Sequence, residues 1–345
     1  MEIIENKELR VEISAVGAEM QSLTDIATGR QLLWQGDPAY WQRRSPVLFP
    51  AVGGLWNGTY RTSNGTYRMP KHGFVRQAEW QVSSRTEQSV TFAHEQTPEE
   101  AAMFPWPYRV EVEYRLEERR LCTTFRVYNT GSETMFFQMG GHPGFHLPDF
   151  APDRPISGYI ELEGRPEYLL RAAEQGCTVV TTDFCAKSGE HGTKSGEQCA
   201  KSAEEIENKH YPVPLNADGL VPVCAETFAN EALILPDHQI SAATLLRTDG
   251  TPLVRVSSSA PVWLFWLPVT TTPCQISATG LPSQTTCSPP QANKTALRAA
   301  PFVCFEPWYG LCDPIGFEGT VDHRPFINRL EAGALWHGGY EILVY

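Results

Sequence analysis

The chain has 345 residues, 41% apolar and 20% charged, the proportions of an ordinary globular protein, which argues against a disordered, collagen-like or membrane-embedded class. Its 28 Lys and Arg against 40 Asp and Glu give a formal net charge of -12, and no block of basic residues stands ready to neutralise phosphates, so neither nucleic acid nor an anionic membrane is expected as a partner. The opening Met1-Glu2-Ile3-Ile4-Glu5-Asn6-Lys7 lacks the apolar stretch of a secretion signal, and the longest apolar run, 260–269, is too short to span a bilayer, so a cytoplasmic location is expected.

Leu9-Arg10-Val11-Glu12-Ile13 alternates apolar with polar, a period of two that predicts a strand with one wet face. Short strands are predicted at 79–82 and 90–93, then a short surface helix over 98–105. Residues 108–116 alternate without a break, and 121–127 repeat the pattern after the charged turn Glu117-Glu118-Arg119-Arg120. These two segments predict an antiparallel hairpin in a sheet with one exposed face. Further strands are predicted at 159–162, 233–235, 253–256, 262–267 and 340–344.

Long helical periodicity is nearly absent, and 27 Gly and 27 Pro punctuate the short strands. The expected fold is all-β, a large antiparallel β-sandwich built by residues 1–345 as a single domain. Residues 171–208, which carry Lys-Ser-Gly-Glu at 187–190 and again at 194–197, and residues 281–300, rich in Ser, Thr, Pro and Gln, hold little to bury and are expected as surface inserts. The nine cysteines are odd in number, with no close Cys-x-x-Cys pair, so free buried thiols are expected and a zinc clip is not.

Three segments could carry chemistry. Gly140-Gly141-His142-Pro143-Gly144-Phe145-His146 follows a strand candidate and would hold an imidazole at a sheet end. The same pattern suits a structural loop histidine, and Pro143 and Gly144 deny the helix that a His pair would need to bind a metal from one face. Phe302-Val303-Cys304-Phe305-Glu306-Pro307-Trp308-Tyr309 sets one carboxylate on an apolar strand, where burial is costly without a purpose or a partner. A strand-closing salt bridge would account for it equally. Met69-Pro70-Lys71-His72-Gly73-Phe74-Val75-Arg76 offers a second loop histidine with a cation four positions on.

In order along the chain, Arg43-Arg44-Ser45-Pro46-Val47-Leu48-Phe49-Pro50, the His72 to Arg76 phrase, Gly141-His142-Pro143-Gly144-Phe145 and Glu306-Pro307-Trp308-Tyr309-Gly310 resemble the aldose 1-epimerase family, in its LacX-like branch of galactose mutarotase-like proteins. The likeness runs from about residue 9 to the C-terminus and includes Ile13-Ser14-Ala15-Val16-Gly17-Ala18-Glu19 and Phe326-Ile327-Asn328-Arg329-Leu330-Glu331-Ala332-Gly333. The resemblance implies a galactose mutarotase-like supersandwich with an open, concave site for a small-molecule sugar.

On this resemblance His142 is the acid and Glu306 the base, His72 orients the ring-oxygen region, and Arg76, Trp308, Asp313 and Glu231 are further substrate contacts. The implied reaction exchanges the α and β anomers of an aldose and needs no cofactor and no metal. An ionised Glu306 beside a protonated His142 is the expected working state. Gly54 stands where many relatives carry Arg. An epimerase for a phosphorylated sugar, drawing on Arg43, Arg44, Lys71 and Arg76, and a non-catalytic carbohydrate-binding protein are the competing readings.

Overall fold

Alternation along 108–116 becomes the strand Tyr108–Glu117, which buries every second residue and leaves the others half-buried or exposed. It turns at Glu118 and Arg119 into Arg120–Asn129, with Glu117 opposite Arg120 and Tyr108 opposite Asn129, so the predicted hairpin forms in register. The computed structural model in which these elements are seen describes residues 1–181, 207–230, 232–272 and 296–345.

The hairpin lies within a nine-stranded sheet. Outward on one side lie Ser89–Glu95 and Gln81–Arg85, and on the other Leu335–Val344, Pro252–Ser257, Ile240–Leu246, Tyr159–Gly164 and Val221–Pro222. A second, seven-stranded sheet runs Leu170–Arg171, Leu233–Leu235, Val262–Trp266, Phe302–Tyr309, Met139–Gly141 and Val47–Leu48, with Gly144–His146 also paired to Phe302–Tyr309. The first strands of the chain form a four-stranded sheet of their own.

The strand Leu335–Val344 of the larger sheet touches Met139–Gly141 and Phe302–Tyr309 of the smaller. Tyr340, Phe125, Phe145, Phe265 and Phe305 fill the space between, in one continuous apolar cluster. The large antiparallel β-sandwich expected from the sequence is the observed architecture, and burial of two facing apolar sheet surfaces is what holds it. Among the described residues no helix is long and apolar enough to cross a membrane.

The predicted helix over 98–105 shortens to Pro98–Ala101, closed by a capping box between Thr97 and Glu100. It ends early because Phe104 is fully buried and draws the chain into the core. Cys122, Cys177, Cys224, Cys304 and Cys312 are free and buried, as expected, while Cys185, Cys199, Cys274 and Cys287 fall outside the described residues.

Within the 171–208 stretch the described residues are half-buried or exposed, as expected of a surface insert, except at two positions. Cys177 and Thr178 are fully buried, and the backbone N–H of Gly54 donates to the carbonyl of Gly176 at 2.8 Å. The Thr178 N–H donates to the Asp313 carbonyl at 2.9 Å. A polar segment is thus tied down by backbone bonds rather than by apolar side chains. Gly54 permits it: a Cβ there would lie 1.9 Å from the carbonyl oxygen of Gln175, so no larger residue fits beneath this segment. Residues 182–206 and 273–295, which hold the repeated phrase and most of the second insert, lie outside the described residues.

Candidate active site

Every residue of Phe302–Tyr309 is buried, so alternation decides what each faces. Val303, Phe305 and Tyr309 join the core between the sheets. Cys304, Glu306 and Trp308 therefore face the opposite side, where Trp308 packs with Val262, Leu264 and Ile234. Across the ladder Glu306 is opposite Leu264, and Leu264 is opposite Ile234, so one apolar row leads to a single carboxylate.

On the other flank the partner strand is broken. Gly140 pairs with Trp308 and Gly144 with Cys304, and the break between them carries His142 toward Glu306. Gly141 makes this possible, since a Cβ on it would come 2.5 Å from the Tyr340 ring. The Phe305 N–H donates to the Pro143 carbonyl at 3.0 Å and fixes the break.

His142 Nε2 lies 3.2 Å from Glu306 Oε2, on the wall of a cavity of about 660 Å³, within the usual size of small-molecule sites. The two groups are not aligned as a hydrogen bond: both Glu306 oxygens and His142 Nδ1 are buried without a partner. Unpaired polar atoms of this kind are costly and ask for an outside partner. Trp41 stacks on the His142 imidazole at 4.8 Å, and Trp266 meets it edge-on at 5.8 Å.

His72 approaches from a third segment, its ring centroid 5.5 Å from that of His142. Its backbone sits in the left-handed region at φ 67, and its N–H donates to the Gly53 carbonyl at 2.9 Å. The Gly53 N–H donates to His72 Nδ1 at 3.1 Å. Nδ1 is thereby an acceptor, so in the neutral ring the hydrogen belongs on Nε2.

Burial dominates the electrostatics. It pushes the Glu306 carboxyl well above the usual carboxylate range, against smaller opposing pulls from the charge of Lys71 and from the nearby Trp308 indole N–H. It pushes His142 down to about 3, and it lowers His72 too, with help from His142, Lys71 and Arg76. The closeness of His142 and Glu306 would favour an ion pair, but with 1% of Glu306 and 5% of His142 exposed and no aligned hydrogen bond, desolvation prevails. Burial thus favours the neutral forms of both groups and works against the ionised pair expected from the sequence.

Of the expected contacts, His72, Arg76 and Trp308 line the cavity with His142 and Glu306. Asp313 does not. It is fully buried behind the wall, where Oδ1 lies 3.0 Å from Arg324 Nε and Oδ2 accepts the Trp56 N–H at 2.9 Å. Burial raises its pKa to about 6 despite Arg324. Its carboxylate fastens three wall segments instead of facing the cavity. Glu231 lies outside the described residues, though its neighbour Ala232 lines the cavity.

Sequence reasoning missed Trp41, Trp266, Gln138 and the wall at 172–176. Buried Gln138 accepts the Val52 N–H at 3.1 Å and donates to the Leu311 carbonyl at 2.7 Å, so one amide holds the two loops that flank Trp308. Trp266 had a signal, standing two residues from Leu264 on the same strand face. His142, Cys304 and Glu306 bring ligand atoms within 4.8 Å of one another. Cys304, however, is packed in an apolar cluster with Trp34 and Phe302 and does not line the cavity, so an entering metal would meet two donors rather than three.

A family model described as aldose 1-epimerase matches residues 1–186, which include His72, Arg76 and His142 but not Glu306. The chromosomal Protein LacX of Lactococcus lactis subsp. lactis is 33% identical over 183 residues, 51% of this chain and 58% of that protein, so the match spans little more than half of the curated relative. A galactose mutarotase related enzyme from Lactobacillus acidophilus has a similar structure, with TM-score 0.74 at 25% identity over 100% of this chain and 97% of that one. A galactose mutarotase-like protein from Lactobacillus casei gives TM-score 0.76 at 25% identity, with 100% of both chains covered.

Proposed function

The chain belongs to the aldose 1-epimerase family, and from that premise we propose that it is an isomerase that exchanges the α and β anomers of an aldose, with His142 and Glu306 handling the protons. Ring opening needs a base at the anomeric hydroxyl and an acid at the ring oxygen. Glu306 as carboxylate takes the proton from O1 while protonated His142 gives one to the ring oxygen, and the bond from C1 to that oxygen breaks. The sugar is then an open-chain aldehyde, and the pair is neutral. Rotation about the C1–C2 bond turns the other carbonyl face to the ring hydroxyl. His142 takes the hydroxyl proton back, Glu306 returns its own to O1, and the opposite anomer closes.

Charge balance suits the burial. The pair holds one proton throughout, so its two states differ only in where that proton sits. The neutral state that burial favours is the one the pair adopts opposite the aldehyde. A sugar hydroxyl donating to the unpartnered Glu306 oxygens makes ionisation less costly at the moment it is needed. His72, donating from Nε2, suits the ring-oxygen region, and Trp41 and Trp266 offer apolar faces to the pyranose.

The reading rests chiefly on one observation, the 3.2 Å approach of His142 to Glu306 beside a cavity. Polarimetry on freshly dissolved α-glucose, α-galactose and other aldoses tests it, with accelerated approach to the equilibrium rotation expected. Glu306→Gln is expected to lose turnover by orders of magnitude and still bind sugar. A wild-type protein that binds these sugars without accelerating any of them would instead be a binding module.

A further inference from the structure

In this acidic chain most arginines have a carboxylate at hand, as Arg10, Arg109, Arg119, Arg126, Arg247 and Arg255 do. Of the four cations near the cavity, Arg43 is paired with Glu19 at 3.2 Å, and Arg44 donates to the side-chain oxygen of Gln21 at 2.7 Å. Lys71 and Arg76 line the cavity, and neither forms an ion pair among the described residues.

Both are held in place without being neutralised. Arg76 Nη2 donates to the Lys71 carbonyl at 2.8 Å, its Nε is buried without a partner, and its own carbonyl takes a hydrogen bond from Arg43 at 3.1 Å. The Lys71 stem lies along the 172–176 wall, where a Cβ on Gly176 would come 2.7 Å from its Cε. The carboxyls that share the lining are Glu306, which burial pushes toward its neutral form, and Glu174, which is exposed to water. Two cations lining one cavity, Lys71 exposed and Arg76 half-buried, with no ion-pair partner among the described residues, form a receptor for an anion.

We propose that the aldose taken by this cavity carries an anionic group, a phosphate ester or a carboxylate remote from C1, held by Lys71 and Arg76 while C1 and the ring oxygen reach Glu306 and His142. The position of C1 rests on the epimerase reading; the anion site does not. The charges of Lys71 and Arg76 oppose protonation of His142, and a bound anion offsets that opposition, which favours the imidazolium that opens the ring.

The test is titration calorimetry on the full chain and on Glu306→Gln, with galactose, galactose 6-phosphate and galacturonate as probes. At least one anionic sugar is expected to bind about ten-fold or more tightly than galactose, in both proteins, with the preference shrinking as salt rises. Which of the two does so identifies the group. Lys71→Met and Arg76→Met are each expected to erode the preference, and Lys71→Arg to keep it. Equal affinity for all three sugars, or a preference untouched by both methionine variants, overturns the proposal. Anomer exchange followed by NMR on the same sugars keeps the two readings apart. Anion-selective binding without exchange sinks the epimerase reading alone, and exchange without anion preference sinks this one alone.

Discussion

Replacing Glu306 by Gln is expected to make the protein more stable above pH 4.5 while it abolishes turnover. The carboxyl is 1% exposed, both oxygens lack partners, and burial raises its pKa well above 4.5. The folded state therefore keeps a proton that the unfolded chain gives up. With the folded pKa raised, stability is fully present below the unfolded value and is lost as pH rises toward the folded one. The loss accumulates at about 1.4 kcal/mol per pH unit across that window. Gln keeps the shape and cannot ionise, so the variant escapes the loss. Urea unfolding of both proteins at pH 4, 5, 6 and 7 measures it, provided the m-values agree. The stability difference is expected to be near zero or to favour the wild type at pH 4, then to move toward the variant by about 1 kcal/mol or more per unit. A difference that stays constant with pH, or moves the other way, would mean that Glu306 is ionised in the folded protein, and the neutral pair would have to be abandoned.

The pH profile of kcat/KM is expected to be bell-shaped, because only the pair with one proton reacts. The acid limb falls where His142 gains a second proton, near its lowered value of about 3, and the alkaline limb lies above the usual carboxylate range; a profile with no alkaline limb would refute the assignment. Gly54→Ala places a Cβ 1.9 Å from the Gln175 carbonyl oxygen, and the overlap is expected to cost about 1–3 kcal/mol in urea unfolding and to raise KM by moving the 172–176 wall. Asp313→Asn leaves buried Arg324 without its counter-ion, for an expected loss of about 3–5 kcal/mol. If that deletion weakened sugar binding and left stability unchanged, Asp313 would be a substrate ligand after all.

What the sequence made legible was what repeats locally. Period two located the hairpin strands Tyr108–Glu117 and Arg120–Asn129, and the same period places Glu306 on the face opposite Phe305. What it left hidden was pairing at a distance. Nothing between residues 140 and 144 indicates that their break in the ladder falls beside Glu306 and turns His142 toward it. Trp41 reads as one aromatic among many until the fold stacks it on that imidazole. Asp313, a substrate contact on the family resemblance, has its carboxylate engaged by Arg324 and the Trp56 N–H, a pairing across the fold that no local pattern announces. Residues 172–176 lie at the surface, as expected of an insert, but composition gives no sign that they line the cavity, because that wall is held by backbone bonds at Gly54 and Thr178.

Protonation was the least legible property, and the reason is physical. A carboxylate and an imidazole drawn side by side suggest an ion pair, because their attraction is visible from residue type alone. The opposing desolvation depends on exposure, which only the packed structure fixes. Here Trp41, Trp266 and Trp308 remove water from both groups, so the term invisible in the sequence outweighs the visible one. The same burial bears on the chemistry proposed: ring opening starts from carboxylate and imidazolium, the state that burial disfavours, so the substrate has to supply the stabilisation that water does not. A sugar hydroxyl donating to the unpartnered Glu306 oxygens stabilises the carboxylate and brings that state within reach.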